Sequence, residues 1–498
     1  MKKLFIFIFL ALFIGTQAQE KSKKPNILFI LMDDLGKEWI STYGADDIKT
    51  PVMDELAETG MKFNNFWSMP QCTPTRISFM TGQYPYRNGW VNHWDVPRWG
   101  GGCHFDWTKN PSIARVMQSA GYKTAVAGKW QVNDFRIQPD AMTKHGFDEF
   151  CMWTGYEAGV KASAERYWDP YIFTKEGSKT YKGKFGEDIF SDFLIDFMKT
   201  NKDESMFMYY AMCLPHTPFV STPLEPDVKD KLGKHKAMVR YVDFIVGKLT
   251  KAMDELKIRD NTIVIITTDN GTTSSISGLL NGRSVKGGKT KTTENGINGP
   301  FIVNCPGIVP AGKSNDTLCD VSDLLPTFAE IGGAKLPTDH IFDGISFADV
   351  ILGKAEKGPR TWSMSMGGSN NAKRTDKGIQ NQWYYRDRVI SNGQFKLWVS
   401  PEKKPVKLVN LKKDLTESEN LIDNPEYAEI VKSLFAAVKD NFDKDKDPIY
   451  VPLKAEKWDV PVKGKGDDWK KGKPGESVKY IPDSQKAGAA GKTKKKKK

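Results

Sequence analysis

The chain has 498 residues, 39% hydrophobic and 27% charged, with a formal net charge of +12; that length allows two or three folded domains. The excess charge is local, because the acid-free tail 486–498 holds seven lysines and the first residues two more, leaving +3 over residues 20–485. A nearly neutral body has no basic footprint for DNA or RNA, and six cysteines without a C-x-x-C pair exclude a disulfide framework or a zinc cluster.

In chain order, Lys2 and Lys3 precede an apolar run, Leu4 to Gly15, and then Thr16-Gln17-Ala18. Small residues at that point suit a signal peptidase, so residues 1–18 read as a signal peptide. Twelve apolar residues are too few to span a bilayer, and no other segment is long and apolar enough to try. The expectation is an exported protein without a transmembrane segment or lipid anchor, periplasmic rather than fully secreted.

"NILFILM" (26–32) is an apolar run of strand length. "YKTAVAG" (122–128), "MFMYYAM" (206–212) and "TIVIIT" (262–267) resemble it, while "DIFSDFLIDFMK" (188–199) and residues 236–256 have helical spacing. Apolar strands alternating with helices predict an α/β fold, a mostly parallel sheet covered on both faces, over residues 24–357. From 358 to 462 the pattern changes to a smaller α+β unit: a hairpin around Asn392-Gly393, a strand at 405–411 and a helix at 424–442. Residues 463–498, rich in Lys, Gly, Pro and Asp, predict a disordered tail.

The residues after each apolar run are polar in a particular way. Asp33-Asp34 follow the first, Lys129 the second, His216 the third and Asp269-Asn270 the fourth. In a parallel sheet these strand ends share one edge, where ligand crevices form. Singly, each has an ordinary reading: Asp-Asp as a turn or helix cap, Asp-Asn-Gly as a turn, "PHTP" as a surface loop. Together, three carboxylates and an amide without a thiolate pair suit a hard divalent cation such as Ca2+ or Mg2+. In "MPQCTPTRISFMTGQ" (69–83), Thr73 suits a helix N-cap and Pro74 its first position. Cys72 then lies at a helix N-terminus that favours an anion, with Arg76 and Lys129 adding positive charge.

These motifs resemble those of the formylglycine-dependent sulfatases of the alkaline phosphatase superfamily. Cys72-Thr73-Pro74-Thr75-Arg76 matches the C-x-P-x-R signature whose cysteine a maturase converts to formylglycine. "PNILFILMDDLG", "GKW" (128–130), "PHTPF" (215–219), "TTDNG" (267–271) and "GKTKTTENG" (288–296) match further family motifs in order, the last selecting Lys289 over Lys291 by its spacing to Glu294. The resemblance covers about Lys24 to Phe442. It implies an alkaline-phosphatase-like sandwich with a smaller C-terminal antiparallel sheet.

For the site, the resemblance implies one Ca2+ held by Asp33, Asp34, Asp269, Asn270 and an oxygen of modified Cys72. One hydroxyl of the hydrated aldehyde attacks sulfur and the other later expels sulfate. Asp269 accepts the proton of the attacking hydroxyl. Arg76, Lys129 and Lys289 stabilise the developing charge, and His216 protonates the leaving alcohol, aided by Lys289. One departure stands out: where the family usually has a histidine after "GKW", this chain has Gln131, an amide that cannot act as a base near neutral pH. His93 and His104 are the candidates to replace it.

Residues 88–107 concentrate four tryptophans, two histidines and Arg98. They read equally as a satellite core or as a saccharide-stacking wall in which His93, Trp94, Arg98 and His104 touch substrate, with Arg374, Trp383, Tyr384, Tyr385 and Arg386 closing the pocket. A wall on an exported enzyme favours a sulfated polysaccharide of algal type, ulvan or carrageenan, or its oligosaccharides. The rival readings are a phosphodiesterase or phosphonate monoester hydrolase of the same superfamily, and a non-catalytic binder of anionic glycans.

Overall fold

In the computed structural model of the chain, the apolar runs assemble into one mixed sheet of ten strands. The structure describes residues 24–91, 103–108, 110–133, 135, 138–155, 157, 160–367, 372–375, 378–381, 386–439 and 450–452. The signal peptide and tail expected at the two ends lie outside the described residues.

The strands are β1 (Asn26–Met32), β2 (Met61–Trp67), β3 (Lys123–Lys129), β4 (Glu149–Trp153), β5 (Tyr171–Thr174), β6 (Gly177–Thr180), β7 (Met206–Ala211), β8 (Thr262–Thr268), β9 (Asn298–Asn304) and β10 (Lys313–Asp320). Their spatial order is β10-β2-β9-β8-β1-β7-β3-β4-β5-β6. The central five, β8 to β4, are mutually parallel, while β9 and β5 run against them. The expected parallel sheet is thus a parallel centre with mixed flanks.

β1 shows why its sequence is continuously apolar. Ile27, Phe29 and Leu31 point into one core and Leu28, Ile30 and Met32 into the other, so neither face can be polar. The first core is covered by α2 (Cys72–Thr81) and α5 (Leu324–Gly332), with Phe29 against Phe79 at 4.6 Å and Phe328 at 5.4 Å. The second is covered by α1 (Pro51–Glu58), α3 (Gly186–Asn201) and α4 (Lys231–Glu255). No helix among the described residues is long and apolar enough to cross a membrane.

A four-stranded antiparallel sheet follows: β11 (Ser363–Met366), β12 (Arg388–Ser391), β13 (Phe395–Val399) and β14 (Pro405–Asn410), with α6 (Ala428–Lys439) against it. Its apolar residues Ile390, Leu397, Leu408 and Leu434 join the first core, so it docks on the α2 side. The Ser365 hydroxyl donates to the Ser68 carbonyl at 2.9 Å, four residues before Cys72.

Two buried polar links hold the frame under the sheet edge. At the end of β10, Arg360 Nε donates to Asp323 Oδ2 at 2.8 Å, and its Nη1 lies 3.4 Å from Asp320 Oδ2. Tyr84, just after α2, donates to the same Asp320 at 2.5 Å and accepts from Arg360 at 3.1 Å. In α3, Glu187 Oε1 accepts from Cys213 N at 2.8 Å and Leu214 N at 3.0 Å, and Tyr210 donates to its other oxygen. Burial pushes the Glu187 carboxyl up to about 7 in spite of these donors.

Removing Arg360 leaves two buried carboxylates unpaired, so Arg360→Leu is expected to lower unfolding free energy by about 3–5 kcal/mol in urea denaturation. Glu187 has the opposite character. Its folded pKa lies above the ordinary 4.5, so it stays protonated in the fold where the unfolded chain has released the proton, and stability falls as pH rises from 4.5 through about 7. Glu187→Gln should therefore gain on wild type over that interval by about 3 kcal/mol and no further above it; a constant difference in unfolding free energy across the interval would refute this.

Candidate active site

The sheet delivers its polar strand ends to one edge. Asp33 follows β1 and is fixed by its N–H donating to Leu214 O at 2.9 Å, while Asp269 N, after β8, donates to Met32 O at 3.1 Å. Asp34 adopts the left-handed region at φ +67°, which aspartate tolerates better than most residues, and its N–H donates to Asp269 Oδ1 at 3.2 Å. Lys129 ends β3. The glycine before it has φ +98°, and a Cβ there would stand 2.0 Å from Ala211 O, so only glycine lets β3 and β7 pair up to the lysine.

Helix α2 begins at Cys72, with Gln71 as its N-cap. The expectation of Thr73 as N-cap and Pro74 as first residue is corrected: the helix starts earlier and Pro74 is its third residue. Proline is tolerated there because first-turn N–H groups have no intrahelical partner. The local lock is Thr75, whose hydroxyl donates to the Asp269 carbonyl at 2.7 Å and accepts from Met69 N at 3.1 Å. Cys72 thus enters the site on the first turn of the helix, its Sγ–H donating to Gln131 Oε1 at 3.6 Å.

Around Cys72 stands a charge-balanced cluster. Lys129 Nζ donates to Asp33 Oδ2 at 2.7 Å. Arg76 donates to Asp269 Oδ2 from Nε at 3.0 Å and Nη2 at 2.7 Å, and reaches within 4.0 Å of Asp33 Oδ1. Lys289 Nζ lies 2.6 Å from Asp34 Oδ1, and Asn270 Nδ2 donates to the same oxygen at 2.7 Å. His216 Nε2 is 3.6 Å from Asp34 Oδ2. Ten of the expected residues therefore meet: Asp33, Asp34, Cys72, Arg76, Lys129, Gln131, His216, Asp269, Asn270 and Lys289.

Burial pushes Asp33 up, yet Lys129 and the other cations together outweigh it and hold the carboxyl well below the usual range. Burial and the adjacent Asp33 raise Asp269 against the pull of Arg76. Burial alone would lower Lys289, but Asp34 and its neighbours reverse that and keep the ammonium charged. For His216, burial and Lys289 lower the pKa well below its ordinary value, so the ring is neutral.

The site has room in its bonding for a cation. Asp33 Oδ1 and Asn270 Oδ1 are buried acceptors with no hydrogen-bond partner; buried oxygens of this kind are costly unless something positive meets them. Asp33, Asp34 and His216 also place ligand atoms within 4.8 Å of one another. An all-oxygen set of Asp33, Asp34, Asp269 and Asn270 fits a hard divalent ion.

Sequence reasoning missed Arg166. Its guanidinium lies over Trp153 at 4.6 Å, and Nη2 sits 2.7 Å from His216 Nδ1 and beside the Thr217 carbonyl. Nδ1 also lies 2.6 Å from the Thr217 carbonyl, so this side of the ring meets a donor and an acceptor together while Nε2 faces Asp34 and the pocket. "AERYWDP" carries no motif that would have announced it. Of the remaining expectations, His93, Trp94 and Arg98, with Trp383, Tyr384 and Tyr385, lie outside the described residues. His104 sits in a short strand paired with Val451 and Arg374 in one paired with Ile379; their side chains are outside the described set. Arg386 is buried. A cleft of about 1430 Å3 lined by Lys37, Arg283, Glu294 and Glu417 contains none of the cluster, and the convergence of charges locates the chemistry better than size does.

The sulfatase family model matches residues 25–334. The chain is 30% identical over 363 residues to the N-acetylgalactosamine-6-sulfatase of Canis lupus familiaris, covering 68% of each chain. It is 28% identical over 355 residues to an arylsulfatase of Hemicentrotus pulcherrimus, covering 66% of this chain and 62% of that one. Among solved structures it superposes on Ps i-CgsB with a TM-score of 0.70 at 25% identity, covering 86% of this chain and 95% of that chain. A protein solved with its substrate D-glucosamine-2-N,6-O-disulfate shares the fold, with a TM-score of 0.66 at 21% identity, covering 85% of this chain and 99% of that chain. With its sheet, its charged edge and more than half its length matched, the chain belongs to the sulfatase family, in the alkaline-phosphatase-like superfamily.

Proposed function

We propose that this sulfatase removes sulfate from a sulfated carbohydrate, exported by its leader to the periplasm and matured by a sulfatase-maturating enzyme that oxidises Cys72. The observation that carries the reading is the position of Cys72, on the first turn of α2 among three buried or half-buried cations. Three carboxylates, Asp33, Asp34 and Asp269, face three cations, Arg76, Lys129 and Lys289. Arg166, against His216, is a further cation beside this set. A divalent ion, for which Ca2+ suits the all-oxygen donors, would add two positive charges, and positive charge of that kind is what a sulfate monoester needs. Formylglycine at Cys72 supplies a hydrated aldehyde hydroxyl as nucleophile.

The chain's own residues do the rest. Arg76 and Lys129 are held in place by Asp269 and Asp33, so they are preorganised for charge building on the sulfate oxygens. Lys289, one-fifth exposed, is the cation nearest the mouth. His216 turns Nε2 toward the pocket, where it can hydrogen-bond the ester's bridging oxygen, and the charged Lys289 ammonium beside it can supply the proton that the departing alkoxide takes. A carbohydrate fits the relatives: one carries N-acetylgalactosamine in its name, and Ps i-CgsB has been solved with k-i-k-neocarrahexaose.

The first test is the mass of the tryptic peptide Phe63–Arg76 from protein made alongside a maturase. A formylglycine or its hydrate at Cys72 is expected; an unmodified cysteine, from a maturase active on a control, would overturn the mechanism. Sulfated glycans, ulvan and carrageenan among them, should then be hydrolysed in preference to phosphate diesters and phosphonate monoesters, the reverse preference identifying a phosphodiesterase or phosphonate monoester hydrolase. Glycan affinity without release of sulfate by the matured protein would identify a binder.

Gln131 bears on the last step. Its backbone is left-handed at φ +72°, and its side chain lies so close to Gly155 that a Cβ there would stand 2.7 Å from Cγ. That geometry aims the amide at Cys72. An amide can orient a hydroxyl but not take its proton, so Gln131→His is expected to speed the sulfate-release phase of pre-steady-state turnover by about tenfold or more. An unchanged phase would remove residue 131 from that step.

A further inference from the structure

The loop carrying Lys289 is held from two sides. From the large sheet, Lys289 N donates to Thr272 O at 2.9 Å, Thr290 N to Pro70 O at 2.8 Å and Gly271 N to Gly296 O at 2.9 Å. From the C-terminal sheet comes a different kind of hold. Lys396 in β13 is fully buried, and its ammonium donates to Glu294 Oε1 at 3.0 Å and Glu417 Oε1 at 2.8 Å. Glu417 Oε2 accepts from Glu294 N at 2.9 Å, and Glu294 Oε2 accepts from Asn298 Nδ2 at 2.8 Å. The Trp67 and Trp398 rings lie 5.0 and 4.9 Å from Lys396 Nζ.

Glu294 is five residues from Lys289, at the start of the turn that leads into β9. Its partner is built with care. Asp414 accepts from the N–H groups of Thr416 at 3.0 Å, Ser418 at 2.6 Å and Glu419 at 2.8 Å, which fixes the loop that holds Glu417 at φ +55°. An ion triad around a buried ammonium adds little stability over apolar packing of the same volume. What it supplies is direction, since one ammonium shared by two carboxylates specifies where each must be.

We propose that Lys396, with Glu417, is a positioning pair for Lys289: by anchoring Glu294 it sets where the Lys289 ammonium is presented to the sulfate group. The C-terminal sheet thereby tunes affinity for the anion without touching it. This rests on the sulfatase reading above, with Lys289 as a sulfate-contacting cation.

The test compares Lys396→Met and the shape-preserving Glu417→Gln with Leu434→Ala, which loosens the same C-terminal layer through α6 but not the triad. With nitrocatechol sulfate as substrate and inorganic sulfate as inhibitor, both triad variants should raise KM and the sulfate inhibition constant by about tenfold, with a smaller change in kcat. Neither should add a further loss on a Lys289→Ala background. Amide hydrogen exchange over residues 287–297 should quicken in the triad variants and stay at the wild-type rate in Leu434→Ala. The proposal is overturned if the triad variants only lower Tm as Leu434→Ala does, with sulfate affinity and loop exchange unchanged, or if their losses multiply with that of Lys289→Ala. A wild-type protein inert on every sulfate ester would defeat the functional reading instead; quickened loop exchange in Lys396→Met would even then support the positioning role.

Discussion

Everything in the pocket depends on buried opposite charges being forced together at the edge of one sheet. Asp33 and Lys129 are both almost without solvent and 2.7 Å apart, and Arg76 bridges from Asp269 toward Asp33. Neither sign is stable there alone, since an unpaired buried charge costs several kcal/mol, on the order of the whole stability margin of a domain. The cluster is therefore a fixed electrostatic frame before any ligand enters. A sulfate ester gains from that frame because the dipoles and charges need not reorganise when negative charge builds.

The frame is held by elements that do no chemistry. The central strands put four polar ends on one line, and the two cores on either side of β1 keep that line straight. Glu187 ties the backbone of Cys213 and Leu214 from beneath, Thr75 ties α2 to β8, and Arg166 sets the imidazole of His216 from behind. Left-handed backbone aims side chains into the site at Asp34 and Gln131, while at Asp169, Lys257, Asn281 and Lys403 it falls on exposed turns.

Part of this was legible in the sequence. The run 26–32 had to be a doubly buried strand because nothing in it after Asn26 could face water, and it proved to be buried residue for residue. The long helix is Lys231–Glu255 rather than 236–256; its first turn is anchored by Asp230, which accepts from Gly233 N at 2.7 Å, and such a cap extends a helix beyond its apolar pattern. β2, β9 and β10 were not read, because "NGPFIVN" opens with breakers and "KSNDTLCD" is too polar to announce a strand. Their pairing comes from neighbours in the sheet, not from their own periodicity.

The sequence by itself determined the chemistry on offer: carboxylates, an amide, cations and a cysteine, each placed just after an apolar strand or at the head of a helix. Those positions are local, set by strand length, turn residues and helix starts within a few residues of the group itself. Tertiary structure alone decided which charge meets which. That Lys129 faces Asp33, that Lys289 faces Asp34, that a donor-only arginine sits behind His216, and that Lys396 reaches Glu294 from another sheet are contacts across about 50 to 250 residues of chain. Coulomb forces act over distances that only the folded sheet brings within reach.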